Sequence, residues 1–182
     1  MMKKNIRYVA FLRGINVGGH ALIKMADLKK AFAEMGFKNV RTLLASGNVL
    51  FDSGQTDKKM IAEKMGAGLR KLLKKEVGVA LRSRDDLETL RSTDPFNGIE
   101  VTPGIRLYVT FRCERSGPCA ISIPYATPQG EMRILRATPT EVFSVLDLAG
   151  GKGTPEAMSI IEKEFGTNVT TRNWNTILKA LS

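Results

Sequence analysis

The sequence predicts an α+β fold. Residues 1–83 are read as a ferredoxin-like βαββαβ plait, packed against a second α+β half in residues 84–182, the two sharing one compact unit. Three observations carry this reading. Apolar runs of strand length alternate with longer segments whose apolar residues recur at helical spacing. The order in the first half is strand, helix, strand, strand, helix, strand, which is that of the split β-α-β plait. And 182 residues, 43% of them hydrophobic, suffice for a core of that size.

The first strand is Ile6 to Leu12, where Tyr8, Ala10 and Leu12 alternate with Val9 and Phe11. Neither set is polar, so both faces are expected to be covered. Leu28, Ala31, Phe32 and Met35 share one face of a helix over Ala26–Met35, and Gly36 stops it. Val40–Leu44 and Val49–Phe51 are short strands around Ser46-Gly47, either a hairpin or a strand continuing past a bulge. A helix follows from about Asp57 to Glu76, then a strand over Val79–Arg82. Ser83 caps a helix over Asp85–Arg91 whose first turn is acidic. Strands are expected at Leu107–Phe111, Met132–Leu135 and Val142–Leu148. Thr154-Pro155-Glu156 starts a helix that Gly166 ends, and a last helix runs from about Arg172 to Leu181 with Trp174, Ile177, Leu178 and Leu181 inward. The second half thus also admits a strand, helix, two strands, helix and strand, as a diverged copy would.

The formal charge of +10 is concentrated in the first half. Residues 1–83 hold 17 Lys and Arg against six Asp and Glu, and residues 84–182 hold 11 against 12. A basic half draws anions, whether nucleic acid, nucleotides or acidic metabolites. Lys58, Lys59, Lys64, Arg70, Lys71, Lys74 and Lys75 can equally be the solvated face of one helix. The apolar run before Arg13 is too short for a signal peptide or a membrane span, so a cytoplasmic protein without a membrane partner is expected. Cys113 and Cys119, with one histidine in the chain, do not form a familiar zinc set, and no metal or cofactor is expected. Two reduced cysteines are the simpler reading.

Three polar clusters interrupt the apolar pattern. Arg13 to Lys24 is a connection of about twelve residues, against about 2–6 for most such loops. Gly14, Gly18 and Gly19 allow backbone N–H groups to converge on an anion, with Arg13 and Lys24 adding charge and Asn16 a directional amide. The segment lacks the Gly-Lys-Ser/Thr ending of a P-loop and does not fit GxGxxG. Ser46 and Asn48 interrupt the second and third strands; nothing nearby activates Ser46 as a nucleophile. At the last helix, Arg172, Thr176 and Lys179 fall opposite the apolar face, and Asn173 and Asn175 flank it. His20 is the sole histidine and the one acid–base candidate near neutral pH. Each cluster has a plainer reading, in which Asn and Ser fasten turns or cap a helix. An open RNA-binding plait is disfavoured, because the aromatic RNP1 signature is missing.

Tyr8-Val9-Ala10-Phe11-Leu12-Arg13-Gly14-Ile15-Asn16-Val17-Gly18-Gly19, Ser46-Gly47-Asn48-Val49-Leu50-Phe51 and Thr171-Arg172-Asn173-Trp174-Asn175-Thr176 together resemble the bacterial family known as domain of unknown function 1697. Asp94-Pro95-Phe96 and Arg106-Leu107-Tyr108-Val109-Thr110-Phe111 fit it too, whereas Phe143 to Lys152 departs from its pattern. The resemblance implies an α+β plait-like fold and brings no activity, substrate or catalytic residue. The residues themselves point to a small anionic, phosphate-bearing ligand in a pocket built from the 13–24 loop, the 46–48 turn and the start of the last helix. Its lining would be Arg13, Gly14, Asn16, Gly18, Gly19, Lys24, Ser46, Asn48, Arg172, Asn173, Asn175 and Lys179. Nucleic acid bound by the basic first half, and a non-catalytic scaffold, are the alternatives. Neither catalysis nor oligomeric state is legible.

Overall fold

A computed structural model describes residues 5–17, 22–113, 121–150 and 154–182, and the chain divides into two compact units. Unit 1 extends to Thr89 and includes Leu181; unit 2 comprises Leu90–Ala180 and Ser182. The fold is α+β, as the sequence predicts.

Unit 1 runs β1 (Ile6–Leu12), α1 (Met25–Glu34), β2 (Lys38–Leu43), β3 (Asn48–Ser53), α2 (Lys58–Leu73), β4 (Val79–Ser83) and α3 (Arg84–Ser92). Its sheet is antiparallel in the order β2-β3-β1-β4. β1 is central, with Tyr8 opposite Phe51 on one side and Ser83 on the other. The hairpin and the bulge that the sequence leaves as alternatives both occur: β2 and β3 pair as a hairpin, and their register shifts between Lys38 and Arg41. Asp57 caps α2, accepting from Lys59 and Met60 N–H, and Lys74 ends it in the left-handed conformation.

The core of unit 1 lies between the sheet and its helices. Tyr8, Ala10, Leu12, Val49 and Phe51 from the strands meet Leu28 and Phe32 of α1 and Ile61, Met65 and Leu69 of α2. Phe51 is its centre, with ring centroids 5.8 Å from Tyr8, 5.7 Å from Phe32 and 4.4 Å from Phe37, separations at which aromatic pairs add to simple burial. The alternate residues Val9, Phe11 and Leu50 are buried as well, so from Tyr8 to Leu12 β1 is apolar and dry on both faces.

Unit 2 runs β5 (Ile105–Arg112), β6 (Tyr125–Ala126), β7 (Met132–Ala137), β8 (Glu141–Asp147), the short 3-10 turn Leu148–Gly150, α4 (Thr154–Phe165), β9 (Val169–Asn173) and α5 (Trp174–Leu181). The sheet order is β6-β7-β8-β5-β9. Without β6 this repeats the order of unit 1, with β7, β8, β5 and β9 in the places of β2, β3, β1 and β4. The register repeats too: Tyr108 on the central strand lies opposite Asn173, as Tyr8 lies opposite Ser83. Ser83 and Asn173 each end an edge strand and open a helix. Where unit 1 has α1, the described residues of unit 2 have the short strand β6.

The last helix begins later than the sequence predicts. Thr170, Thr171 and Arg172 belong to β9, and the helix starts at Trp174. The run Val169-Thr170-Thr171 is β-branched, which favours a pleated strand, and β5 offers it a complete ladder. Asn173 is the cap, its Oδ1 accepting from the N–H of Asn175 at 2.9 Å. The apolar face of α5 is also rotated from the predicted one. Thr176, Ile177, Ala180 and Leu181 are buried, and Leu178 points outward.

Two substitutions test how unit 1 is held. Gly47 has φ +73°, and a Cβ there would sit 2.9 Å from Ile15 Cβ and 3.1 Å from Leu12 Cβ. Gly47→Ala should therefore lower stability by about 1–3 kcal/mol in urea denaturation, and an unchanged midpoint would disprove the tight contact. On the sheet, Arg7 lies directly opposite Asp52 and donates to it from Nε and from Nη2 (3.2 Å), and Asn39 Nδ2 donates at 2.6 Å. The bond from Arg7 holds the Asp52 carboxyl below the usual carboxylate range, against the upward push of burial. A pKa lowered by folding stabilises fully above the unfolded value and is lost as pH falls through the folded one. Asp52→Asn should accordingly flatten the fall in stability below about pH 4, read from melting temperature against pH.

Candidate functional site

In unit 1 the structure brings the start of the 13–24 loop and the 44–48 turn together. Leu12 N–H bonds to Gly47 O at 2.9 Å and Arg13 N–H to Gly78 O at 2.8 Å, so the loop leaves the sheet between these two turns. Gly14 and Asn16 turn it with φ +64° and +55°, and Ile15 is driven inward between them. Asn16 then acts as a clamp. Its Nδ2 donates to Ile23 O at 3.1 Å and Ala45 O at 2.9 Å, and its Oδ1 accepts from Ile23 N–H at 2.8 Å. Asn48, fully buried, donates to Leu43 O at 2.9 Å and Ser46 Oγ at 3.0 Å.

The amide protons that the sequence assigns to a ligand at Asn16 and Asn48 are thus taken by backbone carbonyls and Ser46. The reason is local: positive φ at residues 14, 16, 44 and 47 turns carbonyls away from any ladder, and a buried acceptor needs a donor. Arg13 and Lys24 are exposed at the edge of this clamp. Gly18, Gly19, His20 and Cys119 lie outside the described residues.

In unit 2 the cluster Arg172 to Lys179 is divided among different surroundings. Arg172 is on β9, opposite Val109, where its Nη1 donates to Thr170 Oγ1 at 2.7 Å and Thr171 O at 2.8 Å. Burial lowers its pKa to about 10, with an opposing influence from Cys113; the guanidinium remains protonated at neutral pH. It is therefore not on the outer face of the last helix, as predicted, because residue 172 is not helical. Lys179 is exposed on α5. Thr176, expected to face outward beside it, is buried.

Asn173 and Asn175 do share a cavity. A cleft of about 430 Å³ lies between the 93–104 loop and the start of α5, with Asn173, Trp174 and Asn175 on one side and Asp94 and Arg106 among its other polar groups. Phe96, Ile99, Ile105 and Leu107 contribute its apolar lining. Phe96 packs edge-on against Trp174, centroids 5.4 Å apart, and against Phe143 at 6.1 Å, which fixes the indole in place. Arg106 is anchored by Nη1, which donates to Pro103 O at 2.7 Å and Ile105 O at 3.0 Å. Among the described residues its Nε and Nη2 have no hydrogen-bond partner. Arg106 and Asp94 escaped the reading by clusters, but a signal was present. Residues 93–104 form a connection as long as the 13–24 loop and are broken by Asp-Pro, Asn-Gly and Pro-Gly.

A second cleft in unit 2, about 320 Å³, is lined by Tyr125, Met132, Leu146, Ala157 and Ile160, with Glu131 and Glu156 among its few charges. It holds none of the predicted residues. Of the seven cations of the basic segment 58–75, three have partners among the described residues of unit 1. Lys58 meets Asp86 at 2.5 Å, Arg70 meets Glu76 at 2.5 Å, and Lys64 lies over the Phe37 ring. Among the described residues no group of three or more His, Cys, Asp or Glu could hold a metal ion, and no helix is long and apolar enough to cross a membrane.

Comparison with known proteins adds kinship. The family model described as protein of unknown function (DUF1697) matches residues 6–132. A solved structure, that of the conserved bacterial protein SP0830 from Streptococcus pneumoniae, superposes with a TM-score of 0.65 at 19% sequence identity, covering 97% of each chain. At that identity the likeness is one of fold. No curated protein matches the chain.

The clamp has a measurable weight. Asn16→Ala removes three hydrogen bonds to backbone and places alanine at φ +55°, which should cost about 2–4 kcal/mol in chemical denaturation. A loss below about 0.5 kcal/mol would mean that water replaces the amide and that the side chain is available for other work.

Proposed function

We propose, for a chain that belongs to the family of proteins of unknown function DUF1697, that its work is to bind a small anionic molecule in the cleft between the 93–104 loop and the start of α5. The ligand class is a phosphate-bearing compound with a flat ring. One observation carries the reading: a single cleft is lined by Arg106, by two asparagines and by the only tryptophan of the chain. The volume falls in the range of small-molecule sites, and the exposed lining is more polar than apolar, which suits a charged, hydrogen-bonding ligand. Arg106 presents a planar fork suited to phosphate oxygens. Trp174 offers a ring face, and Asp94 favours a ligand that also carries a hydroxyl or amino group.

The reading takes its ligand groups from the last of the three polar segments that the sequence singles out. In the first two, the asparagines that were to orient a ligand fasten turns instead. A ferredoxin-like kinship of unit 1, supported by its β2-β3-β1-β4 order, and a cytoplasmic location belong to the same proposal.

Trp174 makes the test direct, since all tryptophan emission comes from the cleft. Titration with sodium pyrophosphate and with adenosine diphosphate should give a saturable change in emission and a rise in melting temperature that grows with the logarithm of ligand concentration. Arg106→Gln should weaken binding at least about tenfold, with Arg106→Lys intermediate because it keeps the charge and loses the fork. Emission and melting temperature that stay flat to millimolar concentrations of both compounds would sink the reading.

A further inference from the structure

The Asn16 clamp also displays something. Its amide bonds residues 23 and 45, and each of the three residues so joined has an exposed aliphatic neighbour: Val17 beside Asn16, Leu22 beside Ile23, Leu44 beside Ala45. These residues are 64%, 73% and 51% exposed. Elsewhere among the described residues, large exposed apolar side chains occur singly along the chain. Leu44 also has φ +58°, a conformation that glycine or asparagine adopts at lower cost. A leucine both strained and exposed gains nothing from the core, and strain of this kind collects at working surfaces.

The surroundings are of one sign. Segments 13–17, 22–24 and 36–48 contain Arg13, Lys24, Lys38 and Arg41 and no carboxylate, within a half of the chain that carries +11. Arg13, Lys24 and Arg41 are exposed. Asp27, in the first turn of α1, is the nearest acid along the chain.

We propose that Val17, Leu22 and Leu44, ringed by Arg13, Lys24 and Arg41, form a knob that docks on an anionic lipid surface. The apolar tips enter the boundary between headgroups and acyl chains while the cations meet lipid phosphates. Aliphatic side chains offer no ring on which a nucleic-acid base could stack, which sets this surface apart from single-strand binders. Exposed aliphatic residues suit a bilayer, which yields around them; a protein partner would need a fitted groove. A surface contact requires no spanning helix, so the expectation of no membrane partner, drawn from the lack of such a span, does not bear on it. The knob is independent of the cleft in unit 2.

The test is co-sedimentation of the whole protein with vesicles of phosphatidylcholine, with and without phosphatidylglycerol. Binding should appear on the anionic vesicles and weaken as salt rises. Val17→Ser with Leu22→Ser should reduce it at least about tenfold, and Arg41→Gln should shallow its salt dependence. Leu44→Gly separates the surface from the fold: binding falls while the denaturation midpoint holds or rises, because glycine accepts φ +58°. The proposal fails if anionic vesicles at low salt leave the protein in solution, if neutral vesicles bind it equally, or if the double serine variant binds undiminished. It fails also if the knob proves to join two copies of this chain, seen as a dimer in sedimentation velocity that Leu22→Ser dissolves.

Discussion

A strand that is dry on both faces can leave none of its backbone unpaired, and β1 is such a strand from Tyr8 to Leu12. Its N–H and C=O groups are served by β3 on one side and β4 on the other, and the pairing continues past its end through Gly47 and Gly78. This obligation decides where the chain turns. A carbonyl at the turn before β3 is borrowed by Leu12, so that turn must lie close against the end of β1. The room left there excludes any side chain at position 47. The Asn16 clamp continues the same accounting one step further out, supplying donors to carbonyls that the sheet no longer reaches.

Much of the fold is legible because period and punctuation agree. β1, α1, α2 and β4 could be placed to within a few residues, since Gly36, Asp57 and Ser83 act as stop or cap. The last helix is where local signals compete. Thr170 and Thr171 have a strand preference, but the sequence does not display the partner that gives it effect, and β5 lies some sixty residues away. The helical spacing of the sequence accordingly puts Arg172 on a helix face, where the structure has it on β9. The repeated order of the two units was only faintly visible, because the second lacks a helix at the place of α1 among its described residues. The match of Tyr8-Val9-Ala10-Phe11 to Tyr108-Val109-Thr110-Phe111 becomes informative once both are seen as central strands opposite a capping residue.

The polar clusters show the limit of reading side-chain type without geometry. Asparagine at a turn and asparagine at a binding site draw on the same amide, and only the neighbours decide between them. At positions 16 and 48 the neighbours are orphan carbonyls, so the amide closes the turn. At positions 173 and 175 one amide caps a helix beside an open cleft. Both long connections, 13–24 and 93–104, have twelve residues, and the second lines the cleft of unit 2.

The repeat leaves the chain with two helix starts of like build and unlike charge. At the first, Ser83 and Asp86 exchange hydrogen bonds of 3.1 and 2.6 Å, and Asp85 stands beside them; the partial positive charge of that helix end is already met by carboxylates. At the second, Asn173 caps with a neutral amide and the first turn holds no acid. The dipole of the first helix is thus countered by its own carboxylates, and that of the second is not. The two near-copies of the motif differ in the residues after the cap, Arg84-Asp85-Asp86 in one and Trp174-Asn175 in the other.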